Sequence, residues 1–436
     1  MKSKIRMLAI AAVAACALPA QAQVEIQWWH SMGGALGQWV NDLATDFNNS
    51  QKEYKVVTTF KGSYPESMTA AIAAHRAGNA PHILQVFEVG TATMMASKGA
   101  IVPVAEMMKA SGLKFDPNAY IGAVSGYYTA PNGQMLSFPF NSSTTIFYYN
   151  KDAFKAAGLD PEKAPSTWPE VALAAAKLKA SGHKCPFTTS WQSWTQLESF
   201  SAWHNVEFAT KRNGFNGMDS RLAINSPLHV RHIENLANMA KQGLFVYKGR
   251  NNTADATFPS GECAMFTGSS ALYGSAKANA KFAFGMAPLP YYPDVTGAPQ
   301  NTVIGGASLW VMAGKKPAEY KGVATFFNHL SSPAVQAASH QRTGYLPITM
   351  ASFKMTEDSG FYKKNPGTDV ATNQMIKKVT DKSRGIRLGN FVQVRTIIDE
   401  ELEQVWAGKK SAKEGLDAAV QRGNEQLERF QKANKG

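Results

Sequence analysis

The sequence is poor in the groups that chemistry on small molecules most often needs. Its nine histidines lie at 30, 75, 82, 183, 204, 229, 232, 329 and 340, and only His229 and His232 fall close together. They form H-x-x-H without the glutamate of a zinc-protease helix, and read as a solvated helix face. "GGASL" (305–309) has Ala307 where a nucleophile elbow needs serine. "GSSAL" (268–272) carries serines with no local base, and Gly305 and Gly306 are too few for a phosphate-cradling loop. The aspartates and glutamates fall mostly on helical faces, as hydrated charges. No catalytic residue, metal set or cofactor motif emerges.

Other absences narrow the class further. After the leader no stretch approaches ~20 uninterrupted apolar residues, so no spanning helix is expected. The formal charge is +13, yet no basic run or basic–aromatic repeat concentrates it. Nucleic acid is therefore not an expected partner, and the excess speaks to solubility and to steering of anionic ligands. There is no internal repeat and no low-complexity linker. Of three cysteines, Cys16 lies in the leader; Cys185 and Cys263 are left as a disulfide or as two buried thiols.

The leader itself is informative. MKSKIR, then MLAIAAVAACALPA, then Ala20-Gln21-Ala22 describes an export signal cleaved after Ala22. A lipid attachment at Cys16 is the alternative. The full sequence, at 44% apolar and 18% charged residues, has enough apolar material for two or three domains beyond the leader.

Periodicity fills those domains with alternating elements. Leu36, Trp39, Val40, Leu43 and Phe47 mark a helix, "YKVVTTF" (54–60) a strand, "PESMTAAIAAHRAG" a helix and "PHILQVF" (81–87) a strand. A second region of the same style begins at "TIFYYN" (145–150). It runs through helices "STWPEVALAAAKLKASG" and "IENLANMAKQG" to "FAFGMAPLP" and "VIGGASLWVM". Ser411 and Glu414 form a capping box opening a terminal helix with an apolar stripe at Leu416, Val420, Gly423, Leu427 and Phe430. This is an α/β chain with a mostly parallel sheet, two-lobed, with ligands expected beyond the carboxyl ends of strands. "SFPFNSSTTIFYYN" is anomalous: an otherwise apolar strand broken by Asn141, Ser142, Ser143, Thr144 and Thr145.

Longer strings carry a resemblance. "WHSMGGALG", "GNAPHILQVFEVGTATMMASK", "PFNSSTTIFYYNKDAFKAAGLDPEKAPSTW", "IGGASLWVM", "QRTGYLPIT" and "DEELEQVWAGKK" resemble the periplasmic glycerol-3-phosphate-binding proteins of bacterial ABC importers, within the maltose-binding-like class of solute-binding proteins. The resemblance implies a type II two-lobed periplasmic binding protein fold with a ligand cleft between lobes. The lobes would be 23–140 plus 304–346 and 141–303 plus 347–436. It implies a monomer, without cofactor, that hands a small phosphorylated glycerol to a membrane permease with its ATPase. "PFNSSTT" would be the first crossover between lobes, its hydroxyls turned to the ligand. The binding residues carried over are Tyr64, Glu88, Ser143, Trp191, Ser269, Gly306, Tyr345 and Arg395. Trp194, Ser270 and Gly305 compete with their neighbours for those roles, and Arg387 is the fallback cation. Arg395 would meet the phosphate and Glu88 the glycerol hydroxyls. A neutral-oligosaccharide receptor and an exported phosphodiesterase are the alternatives.

Overall fold

The computed structural model describes residues 23–97, 99–377 and 379–435. The export signal, its cleavage after Ala22 and Cys16 lie outside them. Among the described residues, nine strands form one sheet: β1 (Val24–His30), β2 (Tyr54–Phe60), β3 (Ile83–Phe87), β4 (Ile101–Val102), β5 (Phe138–Asn150), β6 (Phe187–Thr189), β7 (Met265–Ser269), β8 (Phe284–Ala287) and β9 (Ile304–Met312). Their order is β2-β1-β3-β9-β5-β7-β6, with β4 beside β9 and β8 beside β5. The sheet is mixed rather than mostly parallel. Only β1–β2, β1–β3 and β6–β7 are parallel, whereas β9 and β5 run against every neighbour. The two strands that break the βαβ rhythm, β5 and β9, are those that link the two halves of the sheet.

β5 holds the sheet together. Its first part pairs with β9 from Phe138 to Thr144; its second pairs with β7 from Thr145 to Tyr149 and with β8 to Asn150. All thirteen residues are buried. The partner changes between Thr144 and Thr145, inside the hydroxyl run that made this strand anomalous. Helices cover both faces. Along β9, Leu309 and Val311 enter one apolar cluster with Trp28 and Phe327, while Trp310 and Met312 enter the other. This is the two-residue alternation of a strand buried on both sides.

Local signals account for the helix boundaries. Helix Trp168–Ala180 opens on a capping box, Thr167 with Glu170, and Ser166 adds its hydroxyl to the same carboxylate. Helix Ala412–Asn434 opens on Ser411 with Glu414. Helix Pro227–Lys241 begins six residues before "IENLANMAKQG", with Pro227 at its first turn. Its His229 and His232 are fully buried, which corrects the expectation of a solvated face. His229 meets Ser201 at 2.8 Å and Ser226 at 2.7 Å. His232 meets Gln196 at 3.0 Å and stacks on Phe200 with centroids 4.0 Å apart. A satisfied imidazole is compatible with burial, and H-x-x-H spacing alone does not separate the two cases. Cys185 and Cys263 are joined in a disulfide. Among the described residues no helix is long and apolar enough to cross a membrane.

Candidate functional site

The register of β5 assembles the centre of the site. Ser142 lies opposite Gly306, Ser143 opposite Gly305, and Thr145 opposite Ser269. Ser143, Ser269 and Gly306, distant in sequence, are thus neighbours at the point where β5 exchanges β9 for β7. Gly306 has φ +85°, and a Cβ there would overlap the Asn141 carbonyl, so only glycine fits. Gly305 differs: its missing side chain makes room for the Trp194 indole. Tyr345 is tied to the same spot by the Leu346 amide, which donates to the Ser142 carbonyl at 2.7 Å.

Aromatic and acidic groups close around this centre. Tyr64, opening helix Tyr64–Arg76, stacks on Phe87 with centroids 5.0 Å apart, and its hydroxyl accepts from Asn141 Nδ2 at 3.0 Å. Tyr345 points its hydroxyl at the Met32 sulfur, 3.4 Å away. Glu88 follows β3 directly, and Tyr127 donates to its carbonyl at 3.2 Å. From helix Phe391–Trp406, Arg395 donates through Nε and Nη2 to the two oxygens of Glu198, at 2.6 and 2.8 Å. The same Nη2 reaches Glu88 Oε1 at 2.6 Å. All three side chains are buried, at 9% exposure or less.

Burial pushes the Glu88 carboxyl up. Arg395 pulls it back and Glu198 adds to the rise. Burial alone would lower Arg395, but Glu198 and Glu88 outweigh it and hold the guanidinium charged. One cation therefore faces two carboxylates, and Nη1 makes no hydrogen bond to the described residues. Arg387 is committed elsewhere. Its Nη2 donates to the carbonyls of Gly126, Tyr127 and Thr129, where helix Gly122–Tyr128 ends.

Of the residues expected at the site, Tyr64, Glu88, Ser143, Ser269, Gly306, Tyr345 and Arg395 surround this junction. Trp191 stands at its edge, half-buried, with a left-handed backbone at φ 49°. The indole of Trp194 is buried instead, its Nε1 without a partner. Sequence reasoning missed Glu198, Asn141 and two acids, the half-buried Asp255 and the buried Asp399, whose carboxyls desolvation pushes up to about 7. Reading such acids as hydrated helix-face charges fails here because tertiary packing covers them. Asn141 was visible in "PFNSS", but its bonds to Gln85 and Tyr64 depend on strands remote in sequence.

Residues 42–369 match the bacterial extracellular solute-binding protein family. The chain is 53% identical to the sn-glycerol-3-phosphate-binding periplasmic protein UgpB of Pectobacterium atrosepticum, over 95% of this chain and 94% of that one. It is 53% identical to the UgpB of Escherichia coli K12, over 95% of each. Among solved structures, UgpB from Mycobacterium tuberculosis in complex with glycerophosphocholine superposes with a TM-score of 0.78 at 22% identity, covering 93% of this chain and 98% of that one. The maltose-bound MalE3 of T. maritima gives 0.76 at 16% identity, over 92% and 99%. These two likenesses carry the fold, the two-lobed α/β architecture of maltose-binding-like proteins. The chain belongs to the bacterial extracellular solute-binding protein family.

Proposed function

We propose that this protein is a periplasmic receptor that captures sn-glycerol 3-phosphate and glycerophosphodiesters, such as glycerophosphocholine, and delivers them to the permease of an ABC importer. The observation that carries this reading is the 53% identity, across 95% of the chain, to periplasmic proteins that bind sn-glycerol 3-phosphate. The lobes are 23–140 plus 304–346 and 141–303 plus 347–436, hinged where β5 changes partner. Ser143, Ser269, Gly306 and Tyr345 offer neutral donors to the phosphoryl group, and Arg395 offers its unused Nη1. Glu88 accepts from the glycerol hydroxyls, while Tyr64 and Trp191 pack on the carbon chain. Glu198 keeps the guanidinium oriented through two parallel bonds. The protein acts as a monomer and leaves its ligand unaltered.

The competing readings differ in measurable products. Incubation with glycerophosphocholine, followed by recovery of the small molecule, should return it intact and bound one to one. Release of free choline would make the protein a phosphodiesterase instead.

A further inference from the structure

Gln85 and Asn141 have no part in the binding scheme above, yet a row of hydrogen bonds runs through them to the Tyr64 hydroxyl. Both side chains are fully buried, Gln85 within β3 and Asn141 within β5. The direction of the row is set at its start. The Ser31 backbone amide, just past β1, can only donate, and it meets Gln85 Oε1 at 2.8 Å. With its oxygen turned to Ser31, Gln85 offers nitrogen to Asn141, and Nε2 lies 2.9 Å from Oδ1. Asn141 in turn has only its nitrogen left for Tyr64, and Nδ2 donates to the hydroxyl at 3.0 Å. A side-chain amide has one accepting end and one donating end, so no single link can be reversed alone. Tyr64 therefore accepts from Asn141, and its own proton points elsewhere.

Among the described residues that proton has no acceptor. The Met32 sulfur adjoins the same amide, 3.8 Å from Asn141 Nδ2, and receives the Tyr345 proton at 3.4 Å. A thioether is a weak acceptor. Two tyrosine hydroxyls thus flank one buried amide with no strong acceptor for either proton. On β5, Asn141 pairs with Ala307 and Ser143 with Gly305, with no shift of register between them. Strand alternation then puts Asn141 and Ser143 on one face. The Tyr64 hydroxyl is held by Asn141 on the face that carries Ser143. A hydroxyl able only to donate suits a partner made of acceptors, and a phosphoryl group is such a partner. With the amide of Asn141 reversed, the tyrosine would spend its proton on Oδ1 and present lone pairs instead.

Resting on the receptor reading, we propose that Gln85 and Asn141 are positioning residues, which set the polarity of the Tyr64 hydroxyl and hold it as a dedicated donor to the phosphoryl group. The row thereby helps choose a phosphate ester over a polyol, whose hydroxyls both give and take.

The test is a double-variant cycle on the ligand-stripped full chain, read by calorimetric titration with glycerol 3-phosphate, with urea midpoints recording stability separately. Tyr64→Phe removes the donor and should bind roughly tenfold more weakly. Gln85→Met keeps the length of the side chain but frees the Asn141 amide to turn over and take the tyrosine proton. It should weaken binding by up to about tenfold on its own, and change nothing in the Tyr64→Phe background. A merely structural Gln85 would lower the urea midpoint and leave affinity untouched, which would overturn the proposal. A loss undiminished in the Tyr64→Phe background would overturn it too, since Gln85 would then act through something other than that hydroxyl. Should Gln85→Met not fold, Asn141→Asp takes its place in the cycle. Its carboxylate accepts from both Gln85 and Tyr64, and its effect should again shrink once the hydroxyl is gone. Wild-type affinity in Tyr64→Phe would show that the hydroxyl does not meet the ligand, and end the proposal. Wild type silent to both glycerol 3-phosphate and glycerophosphocholine would refute the receptor reading itself.

Discussion

Arg395 is where binding and stability are hardest to separate. Replacing it with alanine removes a charge-assisted donor, a bond that contributes on the order of 1.5–3 kcal/mol. Affinity for glycerol 3-phosphate should fall at least about tenfold. The same change leaves Glu88 and Glu198 buried without their cation, which should cost about 3–5 kcal/mol of stability. Pairing Arg395→Met with Glu198→Gln should restore much of the stability, read from urea midpoints, but none of the affinity, read by calorimetry. An affinity that survives the loss of Arg395 would point to a neutral ligand. Gly306 makes a sharper prediction. With φ +85° and the Asn141 carbonyl where a Cβ would sit, Gly306→Ala should either fail to fold or bind nothing. At this scale a motif string was enough to single out Glu88 in "VFEVG" as a candidate, and the structure buries it against Arg395. The sequence was least legible for Glu198, whose partner lies 197 positions away.

Among the elements, the disulfide gives the clearest expectation. Cys185 precedes β6 and Cys263 precedes β7, so the bridge clamps the starts of two parallel neighbours, and the Ala264 amide donates to the Cys185 carbonyl beside it at 3.0 Å. Closing a loop of 78 residues restricts the unfolded chain by about 4.5 kcal/mol in the chain-entropy account. The Cys185→Ser/Cys263→Ser variant should therefore melt well below wild type while binding glycerol 3-phosphate with similar affinity at low temperature. Spacing could not settle this pairing, because it does not report Cα separation. Strands were readable where β-branched residues clustered, and "YKVVTTF" coincides with β2. β5 was not readable from its first residue. The expected second region began at Thr145, yet the strand starts at Phe138, because polar residues at a change of partner look like an interruption.

For the molecule as a whole, buried titratable groups set the dependence of stability on pH. His204 and His229 are lowered by burial to about 4 and about 3, and His232 lies well below its ordinary 6.5. Their folded forms refuse protons that the unfolded chain accepts, so their contribution is present above pH 6.5 and is lost as the pH falls toward 4. Asp255 and Asp399 act in the opposite sense. Raised to about 7 from 3.8, they favour the fold at low pH and lose that contribution as the pH climbs through 7. Asp399→Asn should thus raise the urea midpoint more at pH 8 than at pH 5; an equal gain at both would mean that Asp399 ionises freely in the folded protein. The two-lobed plan was legible through long matching strings, whereas the mixed sheet was not, since strand direction depends on how the chain returns to the sheet. The central claim, capture of a phosphorylated glycerol, is tested most directly by titrating the ligand-stripped protein with glycerol 3-phosphate, then glycerophosphocholine, then maltose. Saturable heat from a phosphate compound, with none from maltose, is the predicted result; heat from maltose with silence to both phosphates would contradict the account.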